Sequence, residues 1–104
     1  MEPFISEIRL FPYADVPEGW LPCDGRMMPI AQFQVLYALL ETTYGGDGRT
    51  TFALPDLRGR VPVGAHDNLP AGRAFAFLPG DSAAQPAMAL NYCISYKGTF
   101  PYRP

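Results

Sequence analysis

Histidine is almost missing from this 104-residue chain, which has only His66, and cysteine is sparse, with Cys23 and Cys93 alone. An enzyme needs a nucleophile, a base and an electrophile-stabilising group in reach of one another, and this inventory is poor in the first two. His66 stands between Ala65 and Asp67 in a turn-like stretch and reads as a surface residue, not a base or ligand. The cysteines lie far apart with no Cys-x-x-Cys spacing, so neither a zinc site nor a redox motif is legible. Their apolar strand settings raise a thiol pKa and lower its reactivity. Two buried, reduced thiols are expected, with a disulfide left open should their strands pair. No cofactor and no metal are expected. Charge is scarce as well: 17% of residues are charged, the formal net charge is -2 and the arginines are scattered, which sets aside electrostatic binding to nucleic acid or to an anionic membrane. No apolar run reaches membrane length, and Met1 to Glu7 lacks the basic start and apolar centre of a secretion signal, so synthesis in the cytoplasm is expected.

What is present is a globular composition, 48% apolar, in a length that suits one domain with a modest core. With so few charges, some apolar surface is expected to lie against a partner. Phe4 to Phe11 alternates as a strand with no purely polar face. Trp20-Leu21-Pro22-Cys23, Asp24-Gly25 and Arg26-Met27-Met28 read as a hairpin, since Asp-Gly suits a two-residue turn. Phe33, Leu36, Tyr37 and Leu40 recur at helical spacing and predict a helix from about Ala31 to Glu41, with a weak start because Ala31 cannot cap it. Pro62 to Ala65 could form a short edge strand. His66 to Pro86 has little periodicity and reads as a long loop or arm, in which Phe75 and Phe77 favour contact with another chain. Ala87 to Tyr96, long and almost uncharged, fits a central strand. The chain has no internal repeat.

Between helix and arm, Thr42 to Gly64 holds five glycines, three arginines and two aspartates around few apolar residues. Such a density of glycine marks a specified loop. The run Gly45-Gly46-Asp47-Gly48-Arg49-Thr50 lacks the Gly-Lys-Ser/Thr ending of a phosphate loop and follows a helix instead of a strand. No short spacing of oxygen ligands supports calcium at Asp47 or Asp56. The preferred reading is architectural: Asp47, Arg49, Asp56, Arg58 and Arg60 bond to the backbone and to each other, and Asp56 with Arg58 or Arg60 should be largely buried and paired. Trp20, Tyr44, Phe52 and Tyr92 are read first as core, with a sugar-stacking role for Trp20 and Tyr44 as the sharper alternative. Phe75, Phe77, Phe100 and Tyr102 are read as contacts to other chains.

The residues Gly19-Trp20-Leu21-Pro22-Cys23-Asp24-Gly25, then Pro29-Ile30, then Leu39 to Gly48, then Thr51-Phe52-Ala53-Leu54-Pro55-Asp56-Leu57-Arg58-Gly59-Arg60 closely resemble the phage tail collar domain, a family that includes short tail fibre proteins and the microcystin-dependent type of bacterial protein. The likeness runs in register from about Phe4 to Gly64, and Leu90-Asn91-Tyr92-Cys93-Ile94 with Gly98-Thr99-Phe100-Pro101 is similar to the usual ending of the microcystin-dependent type. The resemblance implies a small α+β fold: one main helix packed on short, mostly antiparallel strands, with a long Gly-rich structured loop. The expected division is a single unit over 1–104, with the collar motif at 4–64, a loop or arm at 65–87 and a C-terminal strand and tail at 88–104. It further implies a non-enzymatic structural or adhesion module of a phage virion or phage-derived injection particle, commonly a homotrimer, self-associating and docking to other tail or baseplate proteins. A small carbohydrate- or receptor-binding head is the alternative. Longer members carry an insert before the last strand, in some fibres with a metal-binding His-x-His pair; here that region shrinks to His66–Ala87 with one histidine, so receptor-tip and metal roles are not carried over.

Overall fold

The computed structural model describes residues 2–75 and 87–101, in which the elements are β1 (Ile8–Phe11), β2 (Trp20–Pro22), β3 (Met27–Pro29), a 3₁₀ turn (Ile30–Gln32), α1 (Gln34–Leu40), β4 (Thr51–Ala53) and β5 (Asn91–Ser95). The nearly uncharged C-terminal strand takes the middle of a three-stranded antiparallel sheet in the order β1-β5-β2. Its register sets Ile94 opposite both Ile8 and Leu21, and Cys93 opposite both Arg9 and Pro22. β3 and β4 form a second, two-stranded antiparallel sheet with Met28 opposite Phe52. One helix and short antiparallel strands make an α+β fold, as the sequence implied.

The core forms where these elements meet. Phe52, Ile94, Leu36 and Leu54 are almost fully buried and cluster with Ile5, Cys23 and Met28. From α1, Leu36 enters this cluster and Phe33, Tyr37, Leu39 and Leu40 pack beside it, so the helical stripe read from the sequence faces inward. Phe33 meets Tyr96 edge-on at 5.4 Å and Tyr37 meets Phe52 at 5.5 Å, geometries favoured by the ring quadrupole.

Several local expectations are corrected. The Asp24-Gly25 turn is present, with Gly25 at φ 76°, but its flanking strands do not pair with each other: β2 joins β5 while β3 joins β4. Asp24 bridges Asp56 instead, with Gly25 N–H donating to Pro55 O at 3.1 Å and Leu57 N–H to Cys23 O at 3.0 Å. The turn thus hands the chain from one sheet to the other. The first strand begins at Ile8, because Ser6 takes φ 76° and Glu7 N–H closes a turn on Phe4 O, sending Ile5 into the core. The helix lacks a side-chain cap at Phe33 and starts late, after a 3₁₀ turn supplies the first bond, Phe33 N–H to Ile30 O. It ends at Glu41, φ 50°. Thr42–Gly64 is not a single loop, since β4 runs through it. Pro62–Ala65 forms no strand; all four residues are exposed with no strand beside them. The last strand is shorter than expected, Ala87–Leu90 lying exposed outside it.

Phe52 fills the centre of the core, so Phe52→Ala should cost about 3–5 kcal/mol, read by urea denaturation as a lower midpoint. A cost below about 1 kcal/mol would show that the core does not depend on it.

Candidate functional site

The glycine-rich turn is organised by one carboxylate. Asp47 Oδ1 accepts from the N–H groups of Arg49, Thr50 and Thr51 at 2.8, 2.9 and 3.0 Å, and Oδ2 accepts the Thr50 hydroxyl at 3.0 Å. These bonds, led by that from Thr51, hold its carboxyl well below the usual carboxylate range. Gly46 at φ 97° lets this turn lie against β4: a Cβ there would meet Thr51 O at 2.6 Å and the Cα of Phe52. The Arg49 side chain makes no hydrogen bond or ion pair among the described residues. Only its backbone joins the turn, through the Arg49 N–H to Asp47 Oδ1 bond.

The other charged residues form a paired arrangement. Arg58 Nε and Nη2 donate to Asp56 Oδ1 and Oδ2 at 2.8 and 2.9 Å. Arg26 Nε and Nη2 hold Asp24 in the same way at 3.0 and 2.9 Å. The two Asp-x-Arg units are joined by the Asp24–Asp56 bridge, and Arg60 Nη1 donates to Asp56 O at 2.7 Å. The Arg58 guanidinium depresses the Asp56 carboxyl, and the Arg26 guanidinium that of Asp24. The expected pairing is present, but the expected burial is corrected. The side chains of Arg58 and Asp56 are 70% and 31% exposed, because each arginine folds back along the surface onto an aspartate two residues earlier. Asp24 and Arg26 were missed as partners. The signal was available in the repeated Asp-x-Arg, Asp24-Gly25-Arg26 and Asp56-Leu57-Arg58.

Beside this pair lies an open cleft of about 580 Å³, whose lining includes Ile8, Tyr44, Leu54, Leu57, Asp56 and Arg60. Tyr44 is half-buried there. Trp20 is elsewhere, half-buried on the sheet face away from the core, where Phe11 meets it edge-on at 5.1 Å and the Arg9 guanidinium lies 5.3 Å from its ring centre. The core reading is corrected for Trp20, because Ile94 and Leu21 take the inward face of the sheet. Of the expected chain contacts, Phe75 and Phe100 are exposed, while Phe77 and Tyr102 lie outside the described residues.

The strands of the two cysteines do pair, yet both thiols are free and buried. Pro22 is the partner of Cys93 and Cys23 follows it, so alternation along the strand puts the thiols on opposite faces. Burial, with a lesser contribution from Cys93, pushes the Cys23 thiol up to about 12, and burial raises that of Cys93. His66 is exposed in a turn closed by its bonds with Leu69. Among the described residues no group of three or more His, Cys, Asp or Glu could hold a metal ion, and no helix is long and apolar enough to cross a membrane.

Short strands, one helix and loops held by their own carboxylates make a small α+β module. The Phage Tail Collar Domain family matches residues 6–62, more than half of the chain, and the chain belongs to that family. No curated protein matches it. Family membership makes the chain a structural module of phage tails, from a family that is not one of enzymes.

Two outcomes follow from this geometry. Asp47→Ala should lower the Tm by several degrees at pH 7. Because the folded carboxyl titrates below its unfolded value of about 3.9, its contribution is full above that pH and lost as pH falls through the folded value. The Tm gap to the unaltered chain should therefore narrow below about pH 4; a gap constant down to pH 2 would contradict the ionised turn. Cys23 and Cys93 should both resist a thiol reagent at pH 8 and both react in denaturant, whereas rapid labelling of the native chain would refute their burial.

Proposed function

We propose that the chain is a non-enzymatic building block of a phage tail or tail-like particle, acting by self-association and by docking to neighbouring tail components. The observation that carries this reading is the match of the collar family over residues 6–62. Exposed apolar side chains support it: Phe4, Leu10, Tyr13, Val61, Met88 and Phe100 are all 46% exposed or more, in a chain with few charges. Burial of such surface against other chains is the ordinary means of association. In this reading the 104 residues act as one unit, the strand and tail over 88–104 completing the sheet of the motif over 4–64, as the central place of β5 favours. Phe75 and Phe100 contribute to contacts between subunits, and a trimer is the favoured assembly. The chain is made in the cytoplasm and incorporated into the particle.

A sugar-binding role for Trp20 has less support. Its ring is engaged by Arg9 and Phe11, which leaves little open face for stacking a pyranose.

The test combines light scattering over a hundredfold range of concentration with probing of purified particles by an antibody to the chain. A concentration-dependent oligomer and label on the particles are expected. A clean monomer at every concentration would remove self-association, and unlabelled particles would remove the docking role.

A further inference from the structure

An edge strand offers a row of backbone donors and acceptors to any strand that comes alongside, and folded chains usually blunt such edges. Among the described residues, three of the four sheet edges are blunted. On β2, Trp20 N–H donates to Pro17 O at 3.1 Å, Pro22 has no N–H, and Pro22 O accepts from Asp24 N–H at 2.9 Å. On β4, Ala53 N–H donates to Gly45 O and Thr51 O accepts from Gly48 N–H, both at 3.0 Å, so the glycine-rich turn covers that side. On β3 the outward residues are Met27 and Pro29, since Leu54 N–H bonds Arg26 O and Ile30 N–H bonds Thr50 O on the inner side, and Pro29 lacks a donor.

β1 is left open. Ser95 N–H donates to Glu7 O at 2.9 Å, whereas Cys23 N–H donates to Tyr92 O and Tyr96 N–H to Gly19 O, so the odd-numbered residues of β5 face β1 and the even-numbered ones face β2. By the alternation of an antiparallel ladder, Arg9 and Phe11 bond to β5, and the N–H and C=O groups of Ile8 and Leu10 point away from it. Neither residue has another backbone partner among the described residues. Their side chains are exposed as well, Ile8 at 39% and Leu10 at 46%. Arg9, the charge that would guard such an edge, is drawn back over its own sheet, bonded to Glu7 at 2.6 Å and lying against the Trp20 ring.

We propose that the free edge of β1 takes β1 of a second copy of this chain, antiparallel about a two-fold axis through Arg9. In that register Ile8 exchanges N–H to O bonds with Leu10 of the second copy, and Leu10 with its Ile8, which uses every open backbone group of both edges. The inward face then sets Ile8 against Leu10 twice, so each copy covers the apolar surface the other exposes. On the outward face the two Arg9 side chains meet, each already neutralised by its own Glu7. The open span ends at Ser6, where φ of 76° turns the chain away, and at Pro12, which has no N–H, so its length and pattern match a strand like itself. The inference rests on the self-association reading above and names the surface for it. A two-fold contact pairs single copies, or pairs trimers built through another surface.

The test is sedimentation of the full chain over the concentration range above, with amide hydrogen exchange followed by NMR. A species of even copy number is expected at high concentration. Exchange at Ile8 and Leu10 should slow about tenfold from the lowest concentration to the highest, while Arg9 and Phe11, bonded to β5, stay protected throughout. Leu10→Pro removes an outward donor and no bond to β5, so it should halve the copy number with the fold intact by circular dichroism. Leu10→Lys is a second variant that keeps the backbone donor and sets a charge on the inward face of the edge, and it should do the same. Association with Ile8 and Leu10 exchanging equally fast at every concentration would overturn this inference alone, as would a species of odd copy number or an assembly that both variants leave unchanged. A chain monomeric at every concentration would remove the self-association reading and this inference with it.

Discussion

The structure turns on the bridge between Asp24 and Asp56. Asp24 lies between β2 in one sheet and β3 in the other, and Asp56 follows β4, so the backbone bonds of their neighbours, Gly25 N–H to Pro55 O and Leu57 N–H to Cys23 O, tie the two sheets together. Cys23 completes the junction: its N–H donates to Tyr92 O on β5 at 2.9 Å and its carbonyl accepts from Leu57 N–H. Strands of three to five residues offer few ladder bonds. A fold made of such pieces needs its irregular backbone satisfied by other means. Side-chain carboxylates provide it, at Asp47 within the turn and at Asp24 and Asp56 around the bridge.

This use of charge explains why the loop looks like a ligand site in sequence. Glycines and aspartates near basic residues are what a phosphate cradle or cation site would also contain. Here the Asp47 oxygens are occupied by the protein's own donors, and the inner edges of Arg26 and Arg58 face their own aspartates.

The packing has a related asymmetry. Around Phe52, Leu36 and Ile94 the apolar surface is closed, whereas toward β1 it opens, with Ile8 and Leu10 exposed on the inward face of the sheet. A chain of this length buries a limited fraction of its surface.

The sequence by itself determined the helix stripe, the central C-terminal strand, the paired charges and the family register, because each depends on residues near in the chain or on a fixed order of glycine, proline and charge. Phe33, Leu36, Tyr37 and Leu40 lie within one helical repeat pattern, and Arg58 reaches back only two residues to Asp56. Tertiary structure alone decided the rest. Asp24-Gly25 turns the chain as its local chemistry requires, but whether the following strand returns beside the first depends on β4 and β5, which are distant in sequence and offer better apolar partners. The same long-range pairing put Trp20 outside the core and separated the two thiols. It also brought Ile8, Tyr44 and Arg60 around one cleft, since residues so far apart in the chain meet only when both sheets have formed.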